Sequence, residues 1–322
     1  MNISLEQPVL PKFTVDTHCD SILNVTKGSR LRHSNGHLDL LRMNEVVRLQ
    51  FFALFIEERF KPNYSLERTL ELLDLFLLEL EQNKDLITLV TTKQELEVLY
   101  GTQNTQSGAL LALEGGEGIK DIYILRLLFR LGVRCIGLTW NQRNHIADGV
   151  FSGDRPGGLT HFGKKLICEM NKLGILIDAA HLAPASFWDV LNHCQSPIIV
   201  SHGNCRTICD HPRNYTDLQL KILASQGGIA CITFAPQFLK RSGEISIEDV
   251  IDHITYAADL IGANHVGIGS DFDGVGQLPR GIEHVGDYKR LYSRLAKRGF
   301  SKEEVDGICG ENVRKLLYQI LP

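Results

Sequence analysis

His18 and Asp20 stand two residues apart in the run Val15-Asp16-Thr17-His18-Cys19-Asp20. On an extended strand that spacing projects both side chains to one side, so an imidazole and a carboxylate would face the same cavity. Together they form a donor set for zinc and similar divalent ions. Four further runs repeat this chemistry: Leu113-Glu114-Gly115-Gly116, Ile177-Asp178-Ala179-Ala180-His181, Val200-Ser201-His202 and Gly269-Ser270-Asp271-Phe272-Asp273-Gly274. Three carboxylates (Asp20, Glu114, Asp271) at one rim would repel each other unless cations neutralise them. The candidate metal ligands are therefore His18, Asp20, Glu114, His181 and His202. One ion would leave some of them unused. Glu114 is the candidate bridge between two ions, because Gly115 and Gly116 permit close backbone approach around it. Two ions about 3.5–4 Å apart, sharing an acidified water, make a hydrolytic device.

Something must carry these runs to one place. Apolar stretches of strand length recur at 13–17, 49–56, 109–113, 133–139, 175–178, 197–201, 228–234 and 265–270. Several lack alternation, as expected of strands covered on both faces. Amphipathic helix patterns fill the intervals at 66–82, 122–131, 161–173, 184–192, 217–224 and 247–261. Repeated βα units imply a parallel sheet with right-handed crossovers. Eight of them predict an α/β fold of the (β/α)8 TIM-type barrel kind, with an open doubly wound sheet as the rival. Segment 85–90 reads as an extra short strand and the polar 102–107 as a loop tip. Helical patterns at 288–297, 302–309 and 312–320 predict a C-terminal helical extension, with residues 1–322 as one domain. In such a barrel the C-terminal strand ends carry the chemistry, and all five runs fall there.

Composition narrows the partners. Among 322 residues, 34 Lys+Arg against 38 Asp+Glu give a net charge of −4, which argues against nucleic-acid binding. An apolar fraction of 43% excludes a disordered chain. No stretch nears the roughly 20 apolar residues of a membrane span. Residues 1–12 lack a basic-then-apolar leader, and the C-terminus lacks a hydrophobic anchor tail. The expectation is a cytoplasmic chain without membrane contact. Of eight cysteines, Cys19, Cys135, Cys168 and Cys231 lie in or beside apolar runs and read as buried, reduced thiols. His33, His37, His161, His193, His211, His253 and His284 read mostly as solvated or hydrogen-bonded surface residues, and His265 as structural at the opposite rim. Asp16 and Asp178 read as carboxylates orienting ligand histidines or as strand-end caps, and Asp273 as a turn residue. The glycines at 115, 116 and 118 match neither phosphate-loop pattern. The apolar face of 66–80 is a candidate homodimer surface.

Together with Arg213-Asn214, the five runs resemble, in order and over nearly the whole chain, the membrane dipeptidase (renal dipeptidase) family of zinc peptidases. The resemblance implies a metallo-dipeptidase with two Zn2+ per chain. His18 and Asp20 would hold one, His181 and His202 the other, and Glu114 would bridge them. Asp271 would bind the amino group of a small dipeptide substrate or move the proton, and Arg213 would contact the substrate carboxylate. A zinc-activated hydroxide would attack the peptide carbonyl. Tolerance of a C-terminal D-residue is also implied. Animal members carry Leu-Thr-His at the end of the fourth barrel strand, where this chain reads Leu138-Thr139-Trp140-Asn141. An indole N–H can donate one hydrogen bond but cannot replace an imidazole as proton donor. Trp140 and Asn144, with His145 nearby, are accordingly candidate substrate contacts. Animal members are also secreted and lipid-anchored, so the chain is more similar to a soluble bacterial-type member. The alternatives are an N-acyl-amino-acid deacylase or lactonase on the same barrel, or an inactive peptide-binding barrel.

Overall fold

The computed structural model describes residues 11–101, 106–154 and 156–322. Its strands are β1 (Val15–Cys19), β2 (Leu49–Phe55), β3 (Ile87–Leu89), β4 (Ser107–Glu114), β5 (Val133–Gly137), β6 (Leu176–Asp178), β7 (Ile199–Gly203), β8 (Ile229–Ile232) and β9 (Val266–Ile268). All pair in parallel, in the order β1-β2-β4-β5-β6-β7-β8-β9, with β3 beside β4. β4 is long enough to serve two neighbours on one side. Its Ser107–Ala109 half pairs with β3, and its Leu111–Glu114 half pairs with β5. The eight remaining strands form a nearly closed TIM-like barrel.

Side chains complete the closure between β1 and β9. Asp16 accepts the backbone N–H of Ser270 at 2.8 Å and its hydroxyl at 2.6 Å. Thr17 Oγ1 reaches the Ile268 carbonyl at 3.0 Å. Above them, the Asp20 N–H donates to the Phe272 carbonyl at 2.8 Å and the Asp271 N–H to the His18 carbonyl at 3.2 Å.

Period-two alternation sorts each strand between two apolar layers. On β4, Leu110 and Ala112 point into the barrel and Glu114 follows at the same parity, which lifts its carboxylate to the rim. Val15, Phe51, Cys135, Leu176 and Ile199 fill the interior with them. The last helix, Asn312–Ile320, seals the opposite end with Val313, Leu316 and Leu317. Asn312 pins that helix by donating to the carbonyls of Ala263 (2.8 Å) and Val266 (2.9 Å). Outside, Leu72 and Phe76, Leu125 and Leu128, and Ile251 and Ile254 bury the inner faces of surrounding helices. Local signals set the helix ends: Thr160 caps His161–Leu173, which stops at Gly174 in the left-handed region (φ 72°).

Several expectations shift. β1 runs to Cys19 rather than Thr17, because Cys19 still pairs with Phe52 on β2; an isolated bridge joins it to Phe272 as well. The extra strand is present as β3. Of the 102–107 tip, residues 102–105 lie outside the described residues, as do residues 1–10, while Ser107 begins β4. His265 ends a short turn before β9 and bonds the Gly228 carbonyl at 2.9 Å. Cys168 is exposed rather than buried, although all eight cysteines are free. His253 is fully buried, not a surface residue, since it shares the inward face of helix Ile247–Ile261 with Val250 and Ala257. Its ring accepts the Cys205 N–H (3.1 Å) and bonds the Leu239 carbonyl (3.0 Å). No helix among the described residues is long and apolar enough to cross a membrane.

Candidate active site

The C-terminal ends of β1, β4 and β7 and the turn after β6 deliver four side chains to one buried point. Glu114 sits at its centre and divides its two oxygens. Oε2 lies 3.4 Å from His18 Nε2; Oε1 lies 2.9 Å from His181 Nε2 and 3.7 Å from His202 Nε2. Asp20 Oδ2 is 3.4 Å and Asp271 Oδ1 4.0 Å from His18 Nε2. Two overlapping groups, His18 with Glu114 and His202, and His18 with Asp20 and Asp271, hold their donor atoms close enough for a metal ion. Gly274 leaves this space open, since a Cβ there would lie 2.2 Å from both Asp20 Oδ2 and Asp271 Oδ1.

The ring orientations are fixed from behind. His181 Nδ1 meets Asn141 Oδ1 at 2.8 Å. His202 Nδ1 meets Ser201 Oγ at 2.8 Å, and that hydroxyl donates to Asp178 Oδ2 at 2.5 Å. Both Nδ1 atoms therefore carry the proton, as these partners assign it, and both Nε2 lone pairs face forward. They face each other at 2.8 Å, beside a carboxylate oxygen. Opposed lone pairs at that distance repel each other unless a proton or a cation bound by both relieves them. On the other side, His18 Nε2 and Asp20 Oδ1 are buried without a hydrogen-bond partner. Buried orphans of this kind are costly unless a ligand satisfies them. The donor chemistry and these orphans fit divalent cations.

The electrostatics agree. Burial pushes the Asp271 carboxyl well above its usual range, helped by Asp20 and Glu114, and burial with Glu114 raises Asp20 to about 6. Burial would lower His18, but Glu114 and Asp20 outweigh it and raise it well above 6.5. Burial drives His181 down to about 3 and His202 well below its usual value. Excess negative charge thus sits on the Asp20 and Asp271 side, where protons take the place that cations would fill.

His181 and Asp271 share a left-handed backbone, with φ of 66° at each, and Asp273 matches them at 65°. Such residues cost on the order of 1–3 kcal/mol and persist where the surroundings enforce them. Here Asp273 Oδ2 accepts the Ser21 hydroxyl at 2.5 Å and Oδ1 accepts the His37 N–H at 2.7 Å, which locks the turn that carries Asp271.

Above the acidic centre opens a cavity of about 380 Å³. Asp20, Glu114, His181, His202, Arg213, Asp271 and Trp140 line it. Arg213 is 3% exposed; one nitrogen donates to the His202 carbonyl at 3.2 Å, Nε has no partner, and the guanidinium lies over Phe238. Asn144 stands apart. Its amide donates to the Leu138 carbonyl (2.9 Å) and accepts the N–H groups of Ile146 (2.8 Å) and Ala147 (3.1 Å), so it braces its own loop and does not line the cavity. His145 likewise turns away, onto the Ile119 carbonyl at 2.8 Å. The sequence pattern does not single out Asn141, Phe55, Phe151 or Phe238, and it reads His211 as a surface residue; all five line the cavity. Asp178 acts on His202 through Ser201, whereas Asp16 acts on the barrel seam.

A family model for membrane dipeptidases, peptidase family M19, matches residues 6–321. The dipeptidase verJ of Clonostachys rogersoniana is 35% identical over 258 residues, covering 79% of this chain; the match spans 65% of that protein's length. Among solved structures, a family M19 metallopeptidase, the dipeptidase AC, superposes with a TM-score of 0.90 at 28% identity, over 97% of this chain and 99% of that one. A metallopeptidase from Rhodobacter sphaeroides, bound to a phosphinate mimic of L-Ala-D-Ala, gives the same TM-score at 26% identity, over 97% and 99%. The order of the strand-end runs, the barrel that presents them and these matches agree: the chain belongs to the membrane dipeptidase family of metallopeptidases.

Proposed function

We propose that the chain hydrolyses dipeptides, including those with a C-terminal D-residue, at a centre of two zinc ions. The observation that carries this reading is Glu114, whose oxygens are shared between two histidine groups 3.4 Å and 2.9 Å away. His18 and Asp20 would hold one ion, His181 and His202 the other. Bound there, the pair supplies Lewis-acid polarisation of the scissile carbonyl and an acidified water. The protein's own groups do the rest. Arg213, buried with a spare Nε, donates to the substrate carboxylate. Asp271 receives the substrate ammonium, or passes a proton to the leaving amine from a carboxyl that burial keeps basic. Trp140, partly exposed on the cavity wall, contacts the substrate where the animal enzymes place a histidine. A cavity of about 380 Å³, with a basic and an acidic group anchoring opposite charges, suits a dipeptide zwitterion better than a long chain. The mimic bound by the Rhodobacter sphaeroides relative supports the stereochemistry.

A panel of L-L and L-D dipeptides, N-acyl amino acids and lactones, assayed with zinc, tests this. Dipeptide turnover that a chelator abolishes is expected, with about two zinc ions bound per chain. Turnover of acyl amino acids or lactones alone, or of nothing while metal is bound, would overturn it.

A further inference from the structure

Behind the cavity's aromatic wall lies a buried ion pair that the reaction outlined above does not use. The Lys61 side chain is 14% exposed, and its Nζ makes no hydrogen bond. It lies 3.2 Å from Glu117 Oε1 and faces two rings, with the Trp140 centroid at 5.1 Å and that of Phe55 at 5.4 Å. Those rings meet each other at 5.2 Å, tilted by 58°, and both line the catalytic cavity. A lysine usually keeps its ammonium in water. Here Glu117 offsets part of the desolvation, and the negative faces of two rings take the remainder.

Glu117 packs closely in turn, although its Oε2 has no hydrogen-bond partner. It is 7% exposed, and its Oε2 rests over Gly115, where a Cβ would intrude to 2.2 Å. Gly115 has φ 99° and directly follows Glu114. A line of contacts therefore runs from the central carboxylate's neighbour through Glu117 and Lys61 to the indole. Lys61 and Glu117 also line a second cavity, of about 650 Å³, with Gln142, Arg143 and His145. The space beyond the wall is thus not filled. Removing the ammonium would take away the contact that it makes with the indole from that side.

The geometry points to Lys61 and Glu117 as a positioning pair that holds Trp140, and Phe55 beside it, as the side-chain-selecting wall of the catalytic cavity. The wall that they fix, completed by Phe151, favours an apolar side chain on the substrate residue lying against it. This inference rests on the dipeptide reading for its substrate, but not for its mechanics.

The chain has two tryptophans, Trp140 and Trp188. A Trp188→Phe background leaves Trp140 as the sole reporter, since Trp188 packs on Phe187 away from the site. In that background Lys61→Met should shift the Trp140 emission and raise its acrylamide quenching about twofold or more, as a side chain released from a desolvated cation–π contact would. Lys61→Arg should restore both. Kinetically, in X-Ala and Ala-X series with X = Gly, Ala, Leu or Phe, Lys61→Met should raise KM about three- to tenfold for the Leu and Phe members of one series. The Gly members, and kcat, should change less. Unchanged emission and quenching would overturn the inference, as would an equal loss across every substrate. If the parent turns over no dipeptide, the function proposed above fails, and the emission arm alone still decides whether Lys61 holds Trp140.

Discussion

The two sides of Glu114 are built differently. On one, His18 comes from β1 and Asp20 from the residue that follows it, Asp271 joins them, and donor atoms are left orphaned. On the other, His181 comes from the turn after β6 and His202 from β7, and each has its rear nitrogen bonded, by Asn141 and by Ser201 with Asp178. The first side is rich in charge and poor in support; the second is the reverse. The acidic side can be satisfied only by a cation or a proton, whereas the imidazole side is set in place before anything binds. Preorganisation and affinity are therefore divided between the two halves.

The largest break in this arrangement is the residue common to both. Glu114→Gln should remove turnover by more than the roughly 10–100-fold that outer partners of metal ligands carry, and lower metal content on both sides. Near-parent turnover with full metal loading would contradict the bridging role. Asp20→Asn should then separate the halves. Metal titration should show one ion weakened and the other retained; joint loss would mean that the sides are not independent. Asn141→Ala and Ser201→Ala should each weaken metal binding about 10–100-fold, confined to the imidazole side. If they instead weakened every ion equally, the division would fail.

The smallest effect comes from His253, an imidazole whose burial outweighs the opposing pull of the Leu239 carbonyl and of Asp252 and Asp249. Burial lowers its pKa from 6.5. The unfolded chain therefore binds the proton first, so the stability this residue contributes is present above about pH 6.5 and lost as pH falls below that value. The Tm advantage of the parent over His253→Gln should shrink between pH 7.5 and 5. An advantage that grew on acidification would mean that the ring is charged in the fold.

Legibility in the sequence followed periodicity. His18-x-Asp20 could be read because a strand repeats every two residues, and Glu114 because it continues the parity of Leu110 and Ala112. The eight barrel strands were legible as apolar runs, and so was the extra short β3. Where backbone leaves regular repeats, the reading fails. Asn141 and Asn144 lie three residues apart on an irregular loop; nothing local says that the first meets His181 while the second braces its own turn. His211 was hidden in the same way, and His253 was misread because one histidine says little about which helix face carries it. Lys61 and Glu117 meet only because separate loops converge, and an isolated lysine gives no warning of burial.

The incomplete pairing of β1 with β9 acquires a different meaning once the acids are placed. A barrel is a hoop, and this hoop is joined at one point by side chains and a few backbone bonds instead of a full ladder. Asp20 hangs from one end of the join and Asp271 from the other, each close to His18. Two carboxylates on opposite ends of a join push it apart; a cation held by both would draw it shut. An ion held between Asp20 and Asp271 would then serve as the clasp of the hoop, and how tightly the barrel closes would depend on whether the clasp is fastened.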